Sequence, residues 1–492
     1  MELKKIIKIL AEGERKFPLA LKDLNFIIKG ISSNSKLVKK DYVFLAIKGT
    51  HLDGNKFIPE AVKNGAKAVI VMSPKFRLWK EGKVLFIGVK DTRKATAALS
   101  AAYYGMPSSK IKVVGITGTN GKTTVSYLIE AILKEAGLPC AVIGTVNYRF
   151  KNKIVPSKNT TPGPVELQAL LSGMLKDGAR YAAMEVSSHA LDQGRTDGIG
   201  FHSAIFTNLT QDHLDYHRTL DIYFQAKAGL FKGLKPSAFA VINNDDAYAG
   251  KLKRLTPARI VTYGIENKAE FSARDIKMDV SETRFVLVCP GERRSLKVKL
   301  IGRHNVYNIL AAVAWARKEG IAFKVIQAAV EKFHSVPGRL QKINFKGDFS
   351  VFVDYAHTED ALKNVLQSLK KVSGNKIIVV FGCGGERDKT KRPLMGKVVS
   401  ELADYAVITN DNPRSEDPAD IIEDIKRGII RRNYDVITDR RKAIEEALKR
   451  AGSGDIVLVA GKGHENYQIL NDKTLHFDDR EAVRECLKKM NY

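Results

Sequence analysis

The chain has 492 residues, too many for one ordinary hydrophobic core, and this length predicts about three domains. Hydrophobic residues make up 44% of the sequence, but no apolar run is long enough to span a bilayer, so the composition is that of a soluble globular protein. The formal net charge is +27, which suits nucleic acid, anionic lipid or acidic small molecules as partners. Because the basic residues are spread along the chain, the pattern favours a generally basic solvated surface.

The cysteines and the N-terminal stretch bear on the cellular compartment. The four cysteines lie far apart and form no CxxC pair, so neither a zinc site nor a disulfide framework is indicated. Residues 1–16 are typical of an amphipathic helix, without the longer apolar centre and small-residue cleavage site of a signal peptide. We therefore expect neither export nor membrane insertion, but a cytoplasmic protein with reduced thiols.

Residues 1–106 are predicted to form a small α/β domain. Strands are indicated at Tyr42–Ile47 and Ala68–Val71, and a helix at Ile58–Asn64, closed by Gly65.

Residues 107–335 repeat the order strand then helix, which predicts a mostly parallel sheet with helices on both faces. Residues 270–300 break this rhythm, and the turn residues Pro290 and Gly291 between two apolar runs predict a β-hairpin insert. The predicted strands are Val113–Ile116, Tyr181–Val186, Ala204–Thr207 and Ala238–Ile242, with Phe285–Val288 and Leu296–Leu300 in the hairpin.

Residues 336–492 are predicted to form a further α/β domain, with Val336–Gly338 as its linker. Ligands of open α/β sheets bind beyond the carboxyl ends of the strands, and nearly every polar motif of this chain follows a predicted strand. The predicted strands are Phe349–Val353, Lys376–Phe381, Tyr405–Ile408 and Asp455–Ala460.

The glycine-rich stretch Gly115–Thr124 lies between a strand and a helix and predicts a site for nucleotide phosphates. Lys122 would reach the terminal phosphates, and Thr123 would offer a hydroxyl to Mg²⁺. The spacing departs from the usual phosphate loop, which needs its first glycine where this chain has Ile116.

Two further clusters follow central strands. Glu185 and His213, with the Thr123 hydroxyl, form a mixed oxygen and nitrogen set suited to Mg²⁺ beside a nucleotide. The alternative is that Glu185 caps a helix and His213 lies in a surface loop. The run 187–189, Ser-Ser-His, is disfavoured as a nucleophilic pair, because neighbours in sequence rarely have triad geometry.

Asn305 and Asn308 open a predicted helix at Ile309–Ala316. Either could cap that helix or hydrogen-bond a base edge, and the sequence favours capping. Arg339 could stabilise transferring charge and Asp354 could bind ribose; the alternative is an exposed arginine and a helix cap.

Three polar segments follow the strands of the last domain. Arg387 and Arg414 suit carboxylates, and Asp411 and Glu465 suit an ammonium group, which together predict a pocket for an amino acid. Surface ion pairs on turns are the alternative, disfavoured by the glycines that let a backbone approach a ligand. The segments are Phe381–Lys389, Asp411–Arg414 and Gly461–Glu465.

Taken together, these motifs resemble the Mur ligases, which add amino acids stepwise to the UDP-muramoyl peptide of bacterial cell-wall precursors. The resemblance covers essentially the whole chain and is strongest to the group that adds the third amino acid. The motifs occur in the family's order and read GTNGKTT, EVSSHAL, FTNLTQDHLDYH, HN-x-x-N, DYAHT, FGCGGERDKTKRPLMG, DNPRSEDP and GKGHE.

The resemblance implies an α/β protein of three domains: a small UDP-binding domain (1–106), a central P-loop-type ATPase domain (107–335) and a Rossmann-like amino-acid-binding domain (336–492). It implies ATP and Mg²⁺ as cofactors, and UDP-N-acetylmuramoyl-L-alanyl-D-glutamate and meso-diaminopimelate as substrates. The D-glutamate carboxylate would attack the γ-phosphate of ATP, and the amine would then attack the acyl phosphate. A monomer is expected, with no nucleic acid as partner.

The resemblance also assigns roles residue by residue. Lys122 and Arg339 would stabilise the transferring phosphate, while Lys227, as a carbamate, would be catalytic with His213. Glu185, His213 and the Lys227 carbamate would hold one Mg²⁺, and Thr123 and Glu185 would hold the one that bridges the ATP phosphates. The implied ATP-binding residues are Gly118, Thr119, Asn120, Gly121, Lys122, Thr123, Thr124, Asn305, Arg339 and Asp354. Those implied for the UDP-muramoyl dipeptide are Ser35, Thr160, Thr161, Ser187, Gln193 and Arg195. Those implied for diaminopimelate are Arg387, Asp411, Asn412, Pro413, Arg414, Gly461 and Glu465.

The segment Asp411–Arg414 resembles the signature of relatives that add diaminopimelate, because lysine has no second carboxylate to pair with Arg414. Two departures stand out: Asn34-Ser35-Lys36 replaces the usual Asp-Ser-Arg, and Glu359 replaces a proline. The alternatives are a lysine-adding ligase, a relative acting on folate-type γ-carboxylates, and a P-loop ATPase that binds nucleic acid, which leaves EVSSHAL and DNPR unexplained.

Overall fold

The computed structural model describes residues 1–11, 26–49 and 52–492. The chain divides into two compact units: unit 1 is residues 1–115 with 139–203, and unit 2 is residues 116–138 with 204–492. No helix in the described ranges is long and apolar enough to cross a membrane. Of the amphipathic helix predicted at residues 1–16, the structure has α1 (Leu3–Leu10), and residues 12–16 lie outside the described part.

A five-stranded sheet in unit 1 has the order β1-β2-β3-β5-β4, with β4 antiparallel to β5 and the other pairs parallel. The side chains of its strands alternate between two apolar cores, one shared with α1 and α3 and one with α2. The predicted elements at 42–47, 68–71 and 58–64 are confirmed as β2, β3 and α2. The elements are β1 (Gly30–Ser32), β2 (Tyr42–Leu45), α2 (Ile58–Lys63), β3 (Ala66–Met72), β4 (Arg77–Glu81), β5 (Val84–Val89) and α3 (Thr92–Tyr103).

The remainder of unit 1 carries strands in the order β6-β10-β7-β8-β9, in which β7 and β10 are parallel and β8 and β9 form an antiparallel extension. The strands predicted at 113–116 and 181–186 are confirmed as β6 and β10. The elements are β6 (Lys112–Thr117), β7 (Cys140–Ile143), β8 (Asn147–Phe150), β9 (Lys153–Pro156), α5 (Pro164–Lys176), β10 (Tyr181–Glu185) and α6 (Ser188–Asp192).

The first group of strands in unit 2 has the order β11-β12-β13-β14-β15-β16. The predicted hairpin is confirmed, since β15 and β16 pair antiparallel around Pro290 and Gly291, and β14 extends it into a meander. The elements are α4 (Lys122–Glu135), β11 (Phe201–Phe206), α7 (Leu214–His217), α8 (Leu220–Lys232), β12 (Phe239–Asn243), α9 (Ala249–Leu255), β13 (Arg259–Gly264), β14 (Phe271–Met278), β15 (Thr283–Cys289), β16 (Glu292–Val298), α10 (Arg303–Lys318) and α11 (Phe323–Lys332).

The last sheet of unit 2 has the order β17-β18-β22-β19-β20-β21 and is parallel except for β17. Phe352 and Val379 face the core formed with α12, α13 and α14, whereas Val353 and Ile378 face α15 and α16. The predicted α/β class is confirmed. The elements are β17 (Gln341–Ile343), β18 (Ser350–Asp354), α12 (Glu359–Val372), β19 (Ile377–Phe381), α13 (Lys391–Leu402), β20 (Tyr405–Ile408), α14 (Pro418–Lys426), β21 (Tyr434–Val436), α15 (Arg440–Arg450), β22 (Ile456–Ala460), β23 (Tyr467–Leu470), β24 (Lys473–His476) and α16 (Asp479–Lys489).

The predicted linker Val336–Gly338 forms a turn in which Val336 and Gly338 are buried. Val336 is fully buried and bridges to Arg339. Gly338 has a φ of +65°, and a Cβ there would lie 2.1 Å from the carbonyl carbon of Gly463. A glycine is therefore required where this turn packs against the segment Gly461–Glu465.

Candidate functional site

The phosphate loop lies in unit 2, between the end of β6 and the start of α4 at Lys122. Gly121 precedes the helix with a φ of +91°, and a Cβ there would lie 2.4 Å from Oδ1 of Asn308. The Lys122 ammonium donates to the carbonyl oxygens of Gly118 at 2.9 Å and Thr119 at 2.8 Å. The loop thus folds around its own lysine at the N-terminus of a helix, which is a favourable place for an anion.

Asp360, in the first turn of α12, was missed by the sequence analysis. Its Oδ2 accepts hydrogen bonds from Nδ2 of Asn120 at 2.8 Å and from the Thr210 hydroxyl at 3.0 Å. The amide N–H of Asn120 donates to Oδ1 of Asn208 at 2.9 Å. These contacts fix the tip of the phosphate loop, and they join residues 88 to 240 positions apart in sequence, which no local pattern indicates.

A cavity of about 480 Å³ opens beside the phosphate loop within unit 2. It brings together predicted nucleotide-binding residues from four separate segments, together with residues that the sequence analysis did not assign. The predicted ones are Asn120, Gly121, Thr124, Asn305, Arg339 and Asp354, and the additional ones include Asp245, Tyr263, Tyr307, His357 and Asp360.

The predicted capping role of Asn305 and Asn308 is wrong. Helix α10 begins at Arg303, so both asparagines lie inside it, and its N-cap residue is Gly302, which has no side chain to cap with. Asn305 donates through Nδ2 to the carbonyl oxygen of Ile301 at 2.8 Å and accepts from Nδ2 of Asn308 at 3.0 Å. This chain of amides, at the cavity wall, is suited to fixed hydrogen bonding with a base edge.

Arg339 is not the exposed arginine of the alternative interpretation. It donates through Nη2 to the Thr123 hydroxyl at 3.2 Å, and its guanidinium lies 4.4 Å from the ring centroid of Tyr355. Its Nε is buried without a hydrogen-bond partner among the described residues. A cation held against the phosphate loop with a spare donor is suited to an additional anionic oxygen.

Asp354, at the end of β18, is not a helix cap either, since Thr358 caps α12. Its carboxylate accepts the N–H of Ala356 at 2.7 Å and also the N–H of Leu340. Burial raises the pKa of Asp354, an effect that the charge of Arg339 opposes. The carboxylate is therefore held rigidly at the cavity wall, where it can accept hydroxyl donors from a sugar.

Two histidines near the cavity make stability depend on pH. Burial lowers the pKa of both His304 and His357 to about 4. In the unfolded chain a histidine titrates near pH 6.5. Between about pH 6.5 and pH 4 the unfolded state therefore binds protons that the folded state does not, so the free energy of unfolding decreases as the pH falls through this range.

We expect each histidine to contribute roughly 2 kcal/mol to this decrease, a value reduced to allow for partial solvent exposure. Denaturant unfolding at a series of pH values measures it, and replacing His357 by glutamine should flatten the slope below pH ~6.5. If the slope is unchanged in His357→Gln, the lowered pKa of His357 is not a source of the pH dependence. His334→Gln is the control, because His334 is exposed.

Lys227 lies in α8 and is fully buried. Its Nζ donates to the carbonyl oxygen of Gly118 at 2.9 Å and lies 4.3 Å from the ring centroid of Tyr223. Burial, together with the nearby charge of Lys122, lowers the pKa of Lys227 well below its ordinary value. The amine is therefore much more easily neutral, and thus nucleophilic, than that of a surface lysine.

Asp212, next to the predicted ligand His213, was also missed. Its Oδ2 lies 3.4 Å from Nε2 of His213. Burial acts to raise the pKa of Asp212, but the charges of His213, His357, Lys391 and Lys122 hold it below its ordinary value. His213 itself has a φ of +55° at the start of α7, a conformation uncommon for a non-glycine residue and often found at functional sites.

In unit 1, the residues predicted to bind the UDP-muramoyl dipeptide gather at the end of β10. Glu185 accepts the N–H of Thr145 at 2.9 Å and its hydroxyl at 2.8 Å. The Thr145 hydroxyl lies 3.1 Å from that of Thr160, and the Thr161 hydroxyl donates to the Glu185 carbonyl oxygen at 2.8 Å. Glu185 is thus not a helix cap: Ser187 caps α6, accepting the N–H of Ala190.

Arg195 completes this cluster. It donates through Nη1 to the Thr161 carbonyl oxygen at 3.0 Å, and through Nε and Nη2 to Oε1 of Gln193 at 2.9 and 2.7 Å. Ser35 lies elsewhere in unit 1, buried in a 3₁₀ turn, where its hydroxyl donates to Glu60 at 2.5 Å. The hydroxyl of Ser35, a residue predicted to contact the UDP-muramoyl dipeptide, thus donates its hydrogen bond to Glu60 in this structure.

The predicted amino-acid pocket lies in unit 2, where the loops after β19, β20 and β22 meet. Asn412 donates through Nδ2 to Oε2 of Glu465 at 2.9 Å, and its Oδ1 accepts from Nζ of Lys462 at 3.2 Å. A Cβ at Gly461, whose φ is +116°, would lie 2.6 Å from Oδ2 of Asp411. Burial first, and then the charge of Asp411, raises the pKa of Glu465. The acids of the pocket are thus close together, as an ammonium site needs.

The two predicted arginines flank Gly384. A Cβ at that position would lie 3.2 Å from Nη1 of Arg414 and 3.8 Å from Cγ of Arg387. Arg414 donates through Nη1 to the carbonyl oxygens of Gly385 at 2.7 Å and Asn412 at 3.3 Å. Neither guanidinium forms an ion pair with a carboxylate in the described part of the chain, so the alternative that these arginines form surface ion pairs is not supported. Pro413, which directly precedes Arg414, is buried.

Three family models match successive parts of the chain. Residues 27–104 match the model of the Mur ligase family catalytic domain, residues 116–316 the Mur ligase middle domain, and residues 338–463 the Mur ligase glutamate ligase domain. The chain belongs to the Mur ligase family.

Among its relatives, the chain is 44% identical to UDP-N-acetylmuramoyl-L-alanyl-D-glutamate--2,6-diaminopimelate ligase 1 of Clostridium acetobutylicum over the whole of both chains. It is 43% identical to the ligase of the same substrates from Geobacter sulfurreducens, over 95% of this chain and 96% of the relative.

A solved UDP-N-acetylmuramoyl-L-alanyl-D-glutamate--2,6-diaminopimelate ligase superposes with a TM-score of 0.69 at 34% identity, covering 98% of this chain and 99% of that one. Folylpolyglutamate synthase of Mycobacterium tuberculosis, solved with ADP and AMPPCP, has a TM-score of 0.64 at 17% identity over 75% of this chain and 93% of its own, and shows a shared fold only.

Proposed function

We propose that this chain is an ATP-dependent ligase that joins meso-diaminopimelate to the D-glutamate carboxylate of UDP-N-acetylmuramoyl-L-alanyl-D-glutamate in peptidoglycan precursor synthesis. The observation that carries the proposal is the charge arrangement of the pocket after β19, β20 and β22. Arg387 and Arg414, which form no ion pair with a carboxylate among the described residues, lie near the acids Asp411 and Glu465, as the distal carboxylate and ammonium of diaminopimelate require. The names of the relatives agree with it.

We assign the substrates to segments as follows. Residues 1–106 would bind the uridine diphosphate, residues 107–335 would bind ATP, and residues 336–492 would bind the amino acid. The cluster of Thr160, Thr161, Ser187, Gln193 and Arg195 would hold the dipeptide. Its hydrogen bonds to one another and to Glu185 support this role, because they order the side chains before a ligand arrives.

The carboxylate must first be activated, because a carboxylate is a poor acyl donor to an amine. A D-glutamate oxygen attacks the γ-phosphorus, the bond to ADP breaks, and an acyl phosphate forms. The neutral amine of diaminopimelate then attacks the acyl carbon, phosphate leaves, and the nitrogen loses a proton. Lys122 would neutralise charge on the transferring phosphate together with Arg339, which already contacts Thr123 in the phosphate loop.

ATP-dependent transfer implies Mg²⁺, which would neutralise phosphate charge and orient the γ-phosphate. Within the described ranges, no three His, Cys, Asp or Glu side chains converge as a ready metal site. An ammonium on Lys227 would also repel a cation. We therefore infer that the buried amine of Lys227 adds to CO₂ and loses a proton, and that this carbamate, with Thr123, Glu185 and His213, supplies the protein ligands.

A phosphate-release assay tests the proposal. With ATP, the UDP-dipeptide and diaminopimelate, phosphate should be released at a rate that requires both substrates, and lysine should replace diaminopimelate poorly. Equal turnover with lysine would overturn the amino-acid assignment. Absence of turnover with either amino acid would overturn the ligase assignment.

A further inference from the structure

Tyr467 follows the segment Gly461–Glu465 and opens the strand β23, which backs the amino-acid pocket. The strand pairs with the loop that carries Arg414: the Arg414 N–H donates to the Ile469 carbonyl oxygen at 3.2 Å. The Ile469 N–H donates to Oδ1 of Asn412 at 2.9 Å. Tyr467 is therefore held beside the pocket by the same hydrogen bonds that fix the loop.

The ring of Tyr467 lies close to charged groups of both signs in the pocket. Nζ of Lys462, which is fully buried and pairs with Glu465 at 3.5 Å, lies 5.5 Å from the ring centroid. Burial and then Glu465 raise the pKa of Tyr467, while Arg414 and Arg387 act in the opposite direction. At neutral pH the phenol therefore keeps its proton and remains a donor.

The hydroxyl of Tyr467 is available to a ligand. The side chain is only half-buried, and within the described part of the chain its hydroxyl has no hydrogen-bond partner. The hydroxyl of Tyr355, on the other side of Glu465, differs in this respect, because it lies 3.5 Å from the Glu465 carboxylate.

We propose that Tyr467 is a further substrate-binding residue, whose hydroxyl donates a hydrogen bond to the distal carboxylate of diaminopimelate beside Arg414. This inference rests on the proposed function. An ionised carboxylate has about four lone-pair sites, and a phenol on the strand that pairs with the Arg414 loop is placed to donate to one that the two arginines leave open. None of the sequence motifs pointed to this residue.

The test is the kinetics of Tyr467→Phe with ATP, the UDP-dipeptide and diaminopimelate. Loss of one hydrogen bond to a charged group should raise KM for diaminopimelate about tenfold, with kcat and the KM values for ATP and the UDP-dipeptide unchanged. The phenylalanine ring keeps the packing against Lys462, so the variant should fold, which its melting temperature checks.

Tyr405→Phe is the matched control, because the Tyr405 ring also lies beside an arginine, 4.3 Å from the Arg450 guanidinium, but belongs to β20 of the six-stranded sheet rather than to β23. An unchanged KM for diaminopimelate in Tyr467→Phe, or a parallel rise in all three KM values, would overturn the inference. Failure of the proposed function is distinguished, because the wild-type protein and the control would then show no turnover with diaminopimelate either.

Discussion

Replacing Lys227 by alanine should reduce kcat by about 10²–10³-fold, the loss seen when one charge-stabilising group is removed from an active site. Lys227 is fully buried, its pKa is held well below the ordinary value, and its Nζ contacts the carbonyl oxygen of Gly118 in the phosphate loop. These are the conditions under which an amine reacts with CO₂. Steady-state phosphate release measures the effect.

A second experiment tests the carbamate itself, through the dependence of activity on CO₂. Wild-type protein prepared and assayed in CO₂-free buffer should lose activity and regain it on addition of bicarbonate, whereas Lys227→Ala should not respond. Lys232→Ala is the control, because Lys232 lies on the same helix but is exposed and donates to Gln225. Full activity in Lys227→Ala would show that the mechanism does not use Lys227. Wild-type activity that does not depend on CO₂ would show that no carbamate is needed.

Replacing Arg414 by alanine should lower kcat/KM for diaminopimelate about 100-fold, since a charge-assisted contact to a carboxylate contributes roughly 2–3 kcal/mol. Arg414 is held with a φ of +57° and its Nη1 is anchored on the carbonyl oxygen of Gly385, so its remaining donors are preorganised for the substrate. Use of lysine, which has no distal carboxylate, should not fall.

The measurement is phosphate release with each amino acid in turn, and the selectivity ratio is the quantity to compare. Arg432→Ala, an exposed arginine outside the pocket, should leave this ratio unchanged. If diaminopimelate use survives intact in Arg414→Ala, the pocket assignment is wrong. If turnover with both amino acids falls equally in Arg414→Ala, Arg414 supports the loop rather than binding the distal carboxylate.

Residues that bear local signatures were located from the sequence. The phosphate loop, the hairpin around Pro290 and the strands ahead of each motif follow from glycine spacing, turn chemistry and short apolar runs, all of which act over a few residues. The family order of the motifs then indicated which loops share a site.

Residues whose roles depend on distant contacts were not located. Asp360 reaches Asn120 across 240 positions, and Thr145 reaches Glu185 across 40. Lys462 stood inside a recognised motif, but its complete burial beside Glu465 depends on the packing of three loops. The wrong capping role of Asn305 arose because helix α10 starts one turn before its first strongly apolar residues.

The most direct test of the account is product identification in a competition experiment. The protein is incubated with ATP, UDP-N-acetylmuramoyl-L-alanyl-D-glutamate and equal concentrations of meso-diaminopimelate and L-lysine, and the UDP-linked products are identified by mass spectrometry. The account predicts a single main product, the tripeptide carrying diaminopimelate, formed only when ATP is present. A lysine-containing tripeptide as the main product, or no tripeptide at all, would contradict it.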